Sequence, residues 1–470
     1  MAGTPTRIEH DLLGDREVPA DAYYGVQTLR GQENFHITGI PMSAEPYFVK
    51  AFGYAKKAAA MANRDLGVLD PVIAGAIIHG CDRLIAGEFR DQFVTDFIQG
   101  GAGTSTNMNA NEVIANIALE KLGHAKGEYR IVSPNDHVNF GQSTNDMYPT
   151  AFRLALILRL NSYMDALRAL QEAFFAKARE FDRVLKMGRT HLQDAVPMSL
   201  GQEFHGWGTT MGEEVQRLAE VRQFLHEINL GATAIGTTVT AAPGYPELAT
   251  RYLSELTGTQ FILAGDLIEA TSDTGAYVLL SGVLKRTSSK LTKICNDIRL
   301  LASGPRCGFN EIHLPQMQPG SSIMPGKVNP VIPEVVNQVS FLVIGLDLTV
   351  TLAASAGQLQ LNVMEPVITF ALFTSIATME NAVNSLRVNC VAGITANAER
   401  TRDMVLNSLG IVTVLKPSLG YALCAEIARE GYETGKSLHD IVVVERGLMS
   451  QEKWDEVFSF ENLITPKFEQ

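Results

Sequence analysis

Four polar, glycine-bearing strips interrupt an otherwise helical sequence, and their residue types suit chemistry on a small anion. They read GGAGTSTNMN (100–109), GQSTND (141–146), GRTHLQDA (188–195) and GSSIMPGKVNP (320–330). Glycine lets backbone N–H groups approach a ligand closely, and short hydroxyl and amide side chains supply donors without bulk. The strips match neither a Walker A loop nor a dinucleotide fingerprint, and they hold no acidic pair with metal-ligand spacing. They therefore favour a small, highly polar, anionic ligand.

The residues of the fourth strip indicate proton abstraction next to a carboxylate. Lys327 offers a fixed cation for a carboxylate, and Asn329 offers a neutral donor. Removing a proton beside a carboxylate creates an enediolate, which needs many preorganised donors and a base. His191 is the conventional base, whereas Ser321 requires backbone N–H groups that stabilise its oxyanion. The residue types alone leave both open.

Each strip also has a purely structural interpretation. The first is compatible with a helix start that has Thr104 or Ser105 as its N-cap, although helix starts also bind anions. The second is compatible with a turn that enters a helix after Pro149. His191 is compatible with a structural histidine, and the strip 320–330 with a surface loop. Four such strips in one helical chain favour a shared site over four unrelated turns.

Composition excludes several classes of protein. The 470 residues carry a formal net charge of −12 without a Lys/Arg-rich run, which disfavours binding to nucleic acids or anionic membranes. The five cysteines form no CxxC pair, so we expect free thiols rather than disulfides or a zinc site. The charged N-terminal segment does not resemble a signal peptide. No apolar run reaches the roughly 18 to 20 residues that span a bilayer, and we therefore expect a cytoplasmic protein.

The periodicity of apolar residues predicts a mainly α fold, and the more frequent charges and turn residues after about Glu399 predict a small separate C-terminal domain. Residues 1–145 should form a mixed, mostly helical domain, residues 146–400 a bundle of long helices, and residues 401–470 a small helical domain. The long helices are expected near 150–181, 201–230, 272–302 and 333–356. From Val331 to Phe373 the only charges are Glu334, Asp347 and Glu365. Such a segment must be buried on all sides, at the centre of a bundle that subunits could share.

The four strips together resemble the active-site regions of the aspartase/fumarase superfamily, and GSSIMPGKVNP resembles its signature loop. The similarity extends from DLLGDREVPADAYYGVQTLR (11–30) to GYALCAEIAREGYETGKSL (420–438). It implies three domains with a long central helical bundle, four chains joined in a twenty-helix core, and sites shared by three subunits. It also implies no organic cofactor and no catalytic metal, with Mg²⁺ as a non-catalytic activator of some members.

The resemblance further implies a role for individual residues. Ser321 would be the general base, and His191 would bind rather than take the proton. The β-carboxylate and its enediolate would be held by Thr104, Ser143, Thr144 and Ser322, the α-carboxylate by Thr190, Lys327 and Asn329, and the amino group by Asn145 and His191.

Sequence beyond the strips favours the aspartase branch, which releases ammonia and fumarate from L-aspartate. The signature loop continues as NPVIPEVVNQV, where fumarases usually read NPTQCEA, and LQLNVMEPV replaces a fumarase-like LNVFKP. A class II fumarase and a non-catalytic, crystallin-like relative are the alternatives. Phe140 and Met147 depart from the usual pattern beside the second strip, but neither replaces a contact residue.

Overall fold

The computed structural model describes residues 5–464, and most of them are helical. The helices are α1 (Val26–Asn34), α2 (Pro46–Asp65), α3 (Pro71–Ile85), α4 (Thr104–Lys121), α5 (Thr144–Glu180), α6 (Leu200–Arg222), α7 (Tyr245–Thr257), α8 (Leu267–Ser272), α9 (Gly275–Leu301), α10 (Val331–Ser355), α11 (Glu365–Asn389), α12 (Ala398–Leu406), α13 (Lys416–Leu419), α14 (Tyr421–Thr434), α15 (Gln451–Val457) and α16 (Phe460–Ile464). The prediction of a mainly α fold with long helices is confirmed.

The strands form four two-stranded sheets. They are β1 (Thr6–Asp11), β2 (Gly14–Pro19), β3 (Leu185–Thr190), β4 (Gln193–Ser199), β5 (Glu227–Ile228), β6 (Ile262–Leu263), β7 (Ile312–His313) and β8 (Thr395–Ala396). The pairs β1–β2, β3–β4 and β7–β8 are antiparallel, and β5–β6 is parallel. Two of the sheets, β1–β2 and β3–β4, are hairpins whose strands follow one another directly in the chain.

The described chain divides into two compact units. Unit 1 contains residues 5–165, Gln216–Ser288 and Val339–Glu380, and unit 2 contains Ala166–Val215, Ser289–Gln338 and residues 381–464. The long helices α5, α6, α9, α10 and α11 each contribute residues to both units. The division into domains 1–145, 146–400 and 401–470 stays a prediction.

Unit 1 has an aromatic core beneath the starts of α4 and α5. Phe48 of α2 packs edge-on against Tyr148 of α5, with ring centroids 5.2 Å apart, and Phe152 packs against Phe373 at 5.3 Å. Large rings at helical spacing bury much apolar area and fix the helices against one another. This core holds the polar strips of unit 1 on rigid elements.

Unit 2 has its own core, built largely by the C-terminal helices. Val405, Ile411, Ile427 and Ile441 are buried there, and Met187 of β3 belongs to the same cluster. Ile427 belongs to α14, and Ile441 belongs to a short π-helix at Asp440–Glu445. The core therefore anchors the root of the β3–β4 hairpin.

The charge-poor segment forms α10 and the start of α11, and its surroundings differ from the prediction. By length and composition, α10 and the segment Glu365–Gly393 could each cross a membrane, a test that core helices of other proteins also pass. Of the apolar window of α10, only 33% is buried. Phe341, Leu348 and Leu352 are each about 60% exposed in the single chain. Burial on all sides is therefore not reached within one chain.

All five cysteines are free thiols, as predicted. Four of them are buried, and Cys307 is exposed.

Candidate active site

The first strip forms the start of α4. Gly101 and Gly103 adopt φ of +84° and +90°, and Ala102 between them also has positive φ. Gly103, rather than Thr104 or Ser105, is the N-cap, so the predicted cap was wrong. Thr104 is the first helical residue, is exposed, and donates its hydroxyl to the Gly101 carbonyl at 2.7 Å. Only a glycine-rich turn reaches this left-handed path without strain, which explains the composition of the strip.

The second strip is a capping box that starts α5. Ser143 Oγ accepts from the Asn145 N–H at 3.2 Å, and Asp146 Oδ1 accepts from the Ser143 N–H at 3.0 Å. These reciprocal bonds satisfy N–H groups that a helix start leaves free. The helix therefore begins at Thr144, whereas the sequence had suggested a start after Pro149.

Pro149 lies inside α5 because its missing hydrogen bond is replaced. Proline cannot donate to the carbonyl four residues earlier, which is that of Asn145. The Asn229 side-chain amide donates to this carbonyl at 3.1 Å. Asn145 in turn donates its side-chain amide to the Ala234 carbonyl at 2.7 Å. Two hydrogen bonds, one donated by each side, therefore join the strip to the segment 229–234.

The starts of α4 and α5 lie side by side in unit 1. A Cβ atom added to Gly103 would lie 2.3 Å from the Tyr148 ring, so the first turn of α4 contacts α5 directly. Asn107 of α4 donates to Thr144 Oγ1 of α5 at 3.1 Å. Two helix N-termini, each with partial positive charge, thus converge with Thr104, Ser143, Thr144 and Asn145 at or near them. This arrangement favours an anion such as a carboxylate.

A cavity of about 690 Å³ opens beside the α4 start. Thr104 and Ser105 line it together with Arg30, and of the predicted site residues only Thr104 does so. Arg30 is held by Asp11 through two hydrogen bonds of 2.8 and 2.9 Å, which keep the pKa of that carboxyl below its usual value. The cavity gives a small ligand access to the exposed hydroxyl of Thr104.

The third strip forms the tip of the β3–β4 hairpin in unit 2. His191 and Leu192 occupy the turn with φ of +56° and +60°, between the paired residues Thr190 and Gln193. Two-residue hairpin turns require such left-handed values, which non-glycine residues adopt at a cost. Thr190 and His191 are exposed there. Within the described residues, no hydrogen bond joins them to the loop 320–330.

The fourth strip is a loop that closes on itself. The Gly320 N–H donates to the Lys327 carbonyl at 2.8 Å, and the Asn329 side-chain amide donates to the Gly320 carbonyl at 2.6 Å. A Cβ at Gly320 would lie 2.5 Å from the Lys327 oxygen, so glycine is required for this closure. Gly326 has φ of +80° and open space around it. Gly320 therefore joins the two ends of the loop.

Ser321 has the surroundings that a serine base needs. Its Oγ accepts from the backbone N–H groups of Ile323 and Met324, at 3.2 and 2.9 Å. Two N–H donors favour the negatively charged form of an oxygen over the neutral form. Ser322 and Lys327 are exposed on the same loop, as is the Ile323 side chain at 83%. The loop thus carries a base candidate, a cation and uncovered apolar surface.

Sequence reasoning missed the buried groups behind the second strip. Lys56 of α2 is fully buried and donates to Asn139 Oδ1 at 2.9 Å and to Gln142 Oε1 at 2.8 Å. Asp146 is also buried and accepts from the N–H groups of Gly231 and Thr233. Burial lowers the pKa of Lys56 to about 7 and raises that of Asp146 to about 7. The sequence did contain a signal for the burial of Lys56, because this residue lies on the same face of α2 as the apolar Phe52.

The chain resembles known proteins over nearly its whole length. A protein-family model described as "Lyase" matches residues 14–345, and one described as "Fumarase C C-terminus" matches residues 411–465. The aspartate ammonia-lyase of Pseudomonas aeruginosa is 57% identical over 98% of both chains.

Solved structures agree with this similarity. A fumarate lyase:delta crystallin from Brucella melitensis, bound to cobalt, has a TM-score of 0.95 and 50% identity, covering 98% of this chain and 100% of the other. A recombinant class II fumarase from Schistosoma mansoni has a TM-score of 0.90 at 34% identity, covering 97% and 99%. The mainly helical fold implied by the resemblance is thereby confirmed, and the chain belongs to the aspartase/fumarase superfamily of lyases.

Proposed function

We propose that this protein is an aspartate ammonia-lyase, which converts L-aspartate reversibly to fumarate and ammonia. The observation that carries the proposal is the full-length similarity to aspartate ammonia-lyases, which is well above that to the class II fumarase. The donors expected to bind the substrate are all present, at Thr104, Ser143 to Asn145, Thr190, His191 and the signature loop.

The first chemical step is removal of the β-proton by Ser321. The Ile323 and Met324 N–H groups support the alkoxide form of Ser321, which takes the proton from Cβ. The electron pair of the broken C–H bond moves into the β-carboxylate and makes the enediolate. The hydroxyls of Ser143, Thr144 and Ser322 donate to that group, as does that of Thr104 once it turns away from the Gly101 carbonyl. All four bind the group more tightly as its negative charge grows.

The second step breaks the bond between carbon and nitrogen. The electron pair of the enediolate returns to form the double bond of fumarate, and the amino group, bound as an ammonium, leaves as ammonia. Asn145 and His191 hold this group before it leaves. Lys327, Thr190 and Asn329 hold the α-carboxylate, with Lys327 supplying the positive charge. In this proposal the chain's own side chains do the chemistry, without an organic cofactor or a catalytic metal, and Mg²⁺ acts at most as an activator.

The active form is proposed to be a homotetramer in the cytoplasm. The exposed apolar side chains of α10, among them Phe341, Leu348 and Leu352, form the kind of surface that subunit contacts bury. Three further copies of the same helix would cover it in the twenty-helix core typical of the superfamily. Each site then combines strips from three subunits.

The sharing of sites between subunits can be tested with mixed tetramers. Ser321→Ala should be nearly inactive and Thr144→Val strongly impaired, because each removes one component from every site. Mixed tetramers reassembled from both variants contain some sites in which neither substitution is present, so we expect activity to return. Reassembly of either variant with itself is the control. If the mixture stays inactive although mass measurements show mixed tetramers, sites are not shared between subunits.

The reaction itself is tested by the ultraviolet absorbance of fumarate. Formation of fumarate from L-aspartate and not from L-malate is expected. Formation from L-malate alone would establish the hydratase alternative. Turnover of neither substrate by a correctly assembled protein would favour the crystallin-like alternative.

A further inference from the structure

Thr144 Oγ1 accepts one hydrogen bond within the protein, and its own O–H can donate to a ligand. It accepts from Asn107 Nδ2 at 3.1 Å, and among the described residues no acceptor is recorded for its own O–H. A hydroxyl that accepts from one side keeps its proton for another partner. The direction of the Asn107 amide therefore decides whether Thr144 can donate to a ligand.

The direction of the Asn107 amide is set by its neighbour Asn139. Asn139 Oδ1 accepts from Asn107 Nδ2 and from Asn111 Nδ2, each at 3.2 Å. If the Asn107 amide turned over, its oxygen would face the oxygen of Asn139, which is unfavourable. As long as Asn139 presents its oxygen, Asn107 must present its NH₂ group to both Asn139 and Thr144.

The direction of Asn139 is in turn set by Lys56. An ammonium group only donates, so both of its amide partners must present oxygen to it. Asn139 Oδ1 and Gln142 Oε1 do so, at 2.9 and 2.8 Å. The arrangement survives loss of one proton, since a neutral amine still has two N–H groups for these two acceptors. Gln142 then donates its Nε2 to the Val138 carbonyl, which fixes it as well.

The side-chain oxygen of Asn107 has no hydrogen-bond donor among the described residues, which shows that this orientation of the amide costs free energy. Within residues 5–464, no group donates to Asn107 Oδ1, although the atom is buried. A buried carbonyl oxygen without a donor is unfavourable, because it has given up its hydrogen bonds to water. The favourable bonds that Lys56 requires elsewhere in the network hold the amide in this direction.

We infer that Lys56, Asn139 and Asn107 form a polarity relay that makes Thr144 a hydrogen-bond donor to the substrate carboxylate. Lys56 and the two asparagines are positioning residues in this relay, because they act only through Thr144. The inference rests on the proposed function, in which Thr144 holds the β-carboxylate.

A matched pair of substitutions tests the relay. Asn107→Asp places only acceptors opposite Thr144, so the hydroxyl turns to donate to Asp and is lost to the substrate. Asn139→Asp adds the same charge to the same network and still presents oxygen to Lys56 and to Asn107, although it loses the bond from Asn139 Nδ2 to the Gln142 carbonyl. We expect N107D to lower kcat/KM by about 100-fold or more, the size of one lost oxyanion donor. The decrease in kcat/KM for N139D should be less than about a tenth of the decrease for N107D.

A double-substitution cycle separates the relay from general damage. In the background of Thr144→Val, which has no hydroxyl, N107D should cause little further loss in kcat/KM. Asn107→Leu is the second variant in case N107D does not assemble, and its smaller loss should also disappear in the T144V background. Equal losses for N107D and N139D, or full losses that persist without the hydroxyl, would overturn the relay.

Binding of succinate, a dicarboxylate that cannot eliminate ammonia, tests the relay without turnover. Calorimetry should show weaker binding for N107D than for N139D. Wild-type protein that does not act on L-aspartate would refute the proposed function, whereas the order of succinate affinities would still decide the relay.

Discussion

The donor strips of unit 1 and the signature loop of unit 2 are built in opposite ways. Thr144 and Asn145 lie on helix starts that are fixed by a capping box, an aromatic core and a network of buried amides. The loop 320–330 is exposed and is closed mainly by two hydrogen bonds of Gly320. Donors for a developing charge must be in place before the reaction, whereas a base must reach the substrate and then release the product. The comparison therefore assigns binding of the β-carboxylate to the rigid region, and proton removal and closure over the substrate to the loop.

The largest effect expected from this comparison concerns the base. Ser321→Ala should lower kcat by about a thousandfold or more, because general base catalysis is lost. Succinate affinity should change little, since the rigid strips are untouched. Thr144→Val is the matched variant in the other region, and it should weaken succinate binding as well as turnover. A Ser321→Ala protein with near-normal turnover would refute the serine role.

A smaller effect is expected from the two glycines of the loop. Gly320→Ala forces a Cβ to within 2.5 Å of the Lys327 carbonyl oxygen, so the closed loop should open and kcat should fall. Gly326→Ala meets open space and bears only the strain of its φ of +80°, and its loss should be several-fold smaller. Thermal unfolding of both variants checks that the helices are unaffected. If G326A is the more harmful change, the closing role of Gly320 is wrong.

The smallest effect concerns pH and the rigid region. Burial raises the pKa of Glu365 to about 8, partly offset by Arg153, from an ordinary value of 4.5. Because the folded state holds this proton more tightly than the unfolded state, the stability that Glu365 contributes is complete below about pH 4.5. It is lost as the pH rises through about 8.

Glu365→Gln removes this dependence, since glutamine does not titrate. The melting temperature of the wild type should fall between pH 5 and pH 8.5 by about 2 °C more than that of E365Q. Glu255→Gln, at an exposed position of α7, is the control and should keep the wild-type slope. Equal slopes for E365Q and the wild type would show that Glu365 does not titrate in this range.

Local signals in the sequence predicted the helices and the four strips, because spacing and glycine content are themselves local. Long-range contacts decided the rest. The start of α5 lies before Pro149 because Asn229, eighty residues away, replaces the missing hydrogen bond. Gly103 is the cap of α4 because the Tyr148 ring leaves no room for a side chain. Lys56 gained its role only when folding placed Asn139 against it.

The roles of single residues came from the resemblance and not from residue chemistry, which left His191 and Ser321 equal as bases. The geometry adds an argument for Ser321, since two backbone N–H groups point at its oxygen. The charge-poor segment was expected to be buried on all sides, and the proposed subunit contacts would account for its exposed face on α10.

The unpaired oxygen of Asn107 has a consequence for laboratory evolution. Selection for heat resistance alone should favour an apolar residue at position 107, because this removes a buried carbonyl that no described group satisfies. Such a variant would stay folded longer than the parent at high temperature and yet convert less substrate. Asn111 carries the same kind of unpaired oxygen but does not touch Thr144. The two neighbouring asparagines should thus diverge under selection, one free to change and the other retained wherever activity is scored.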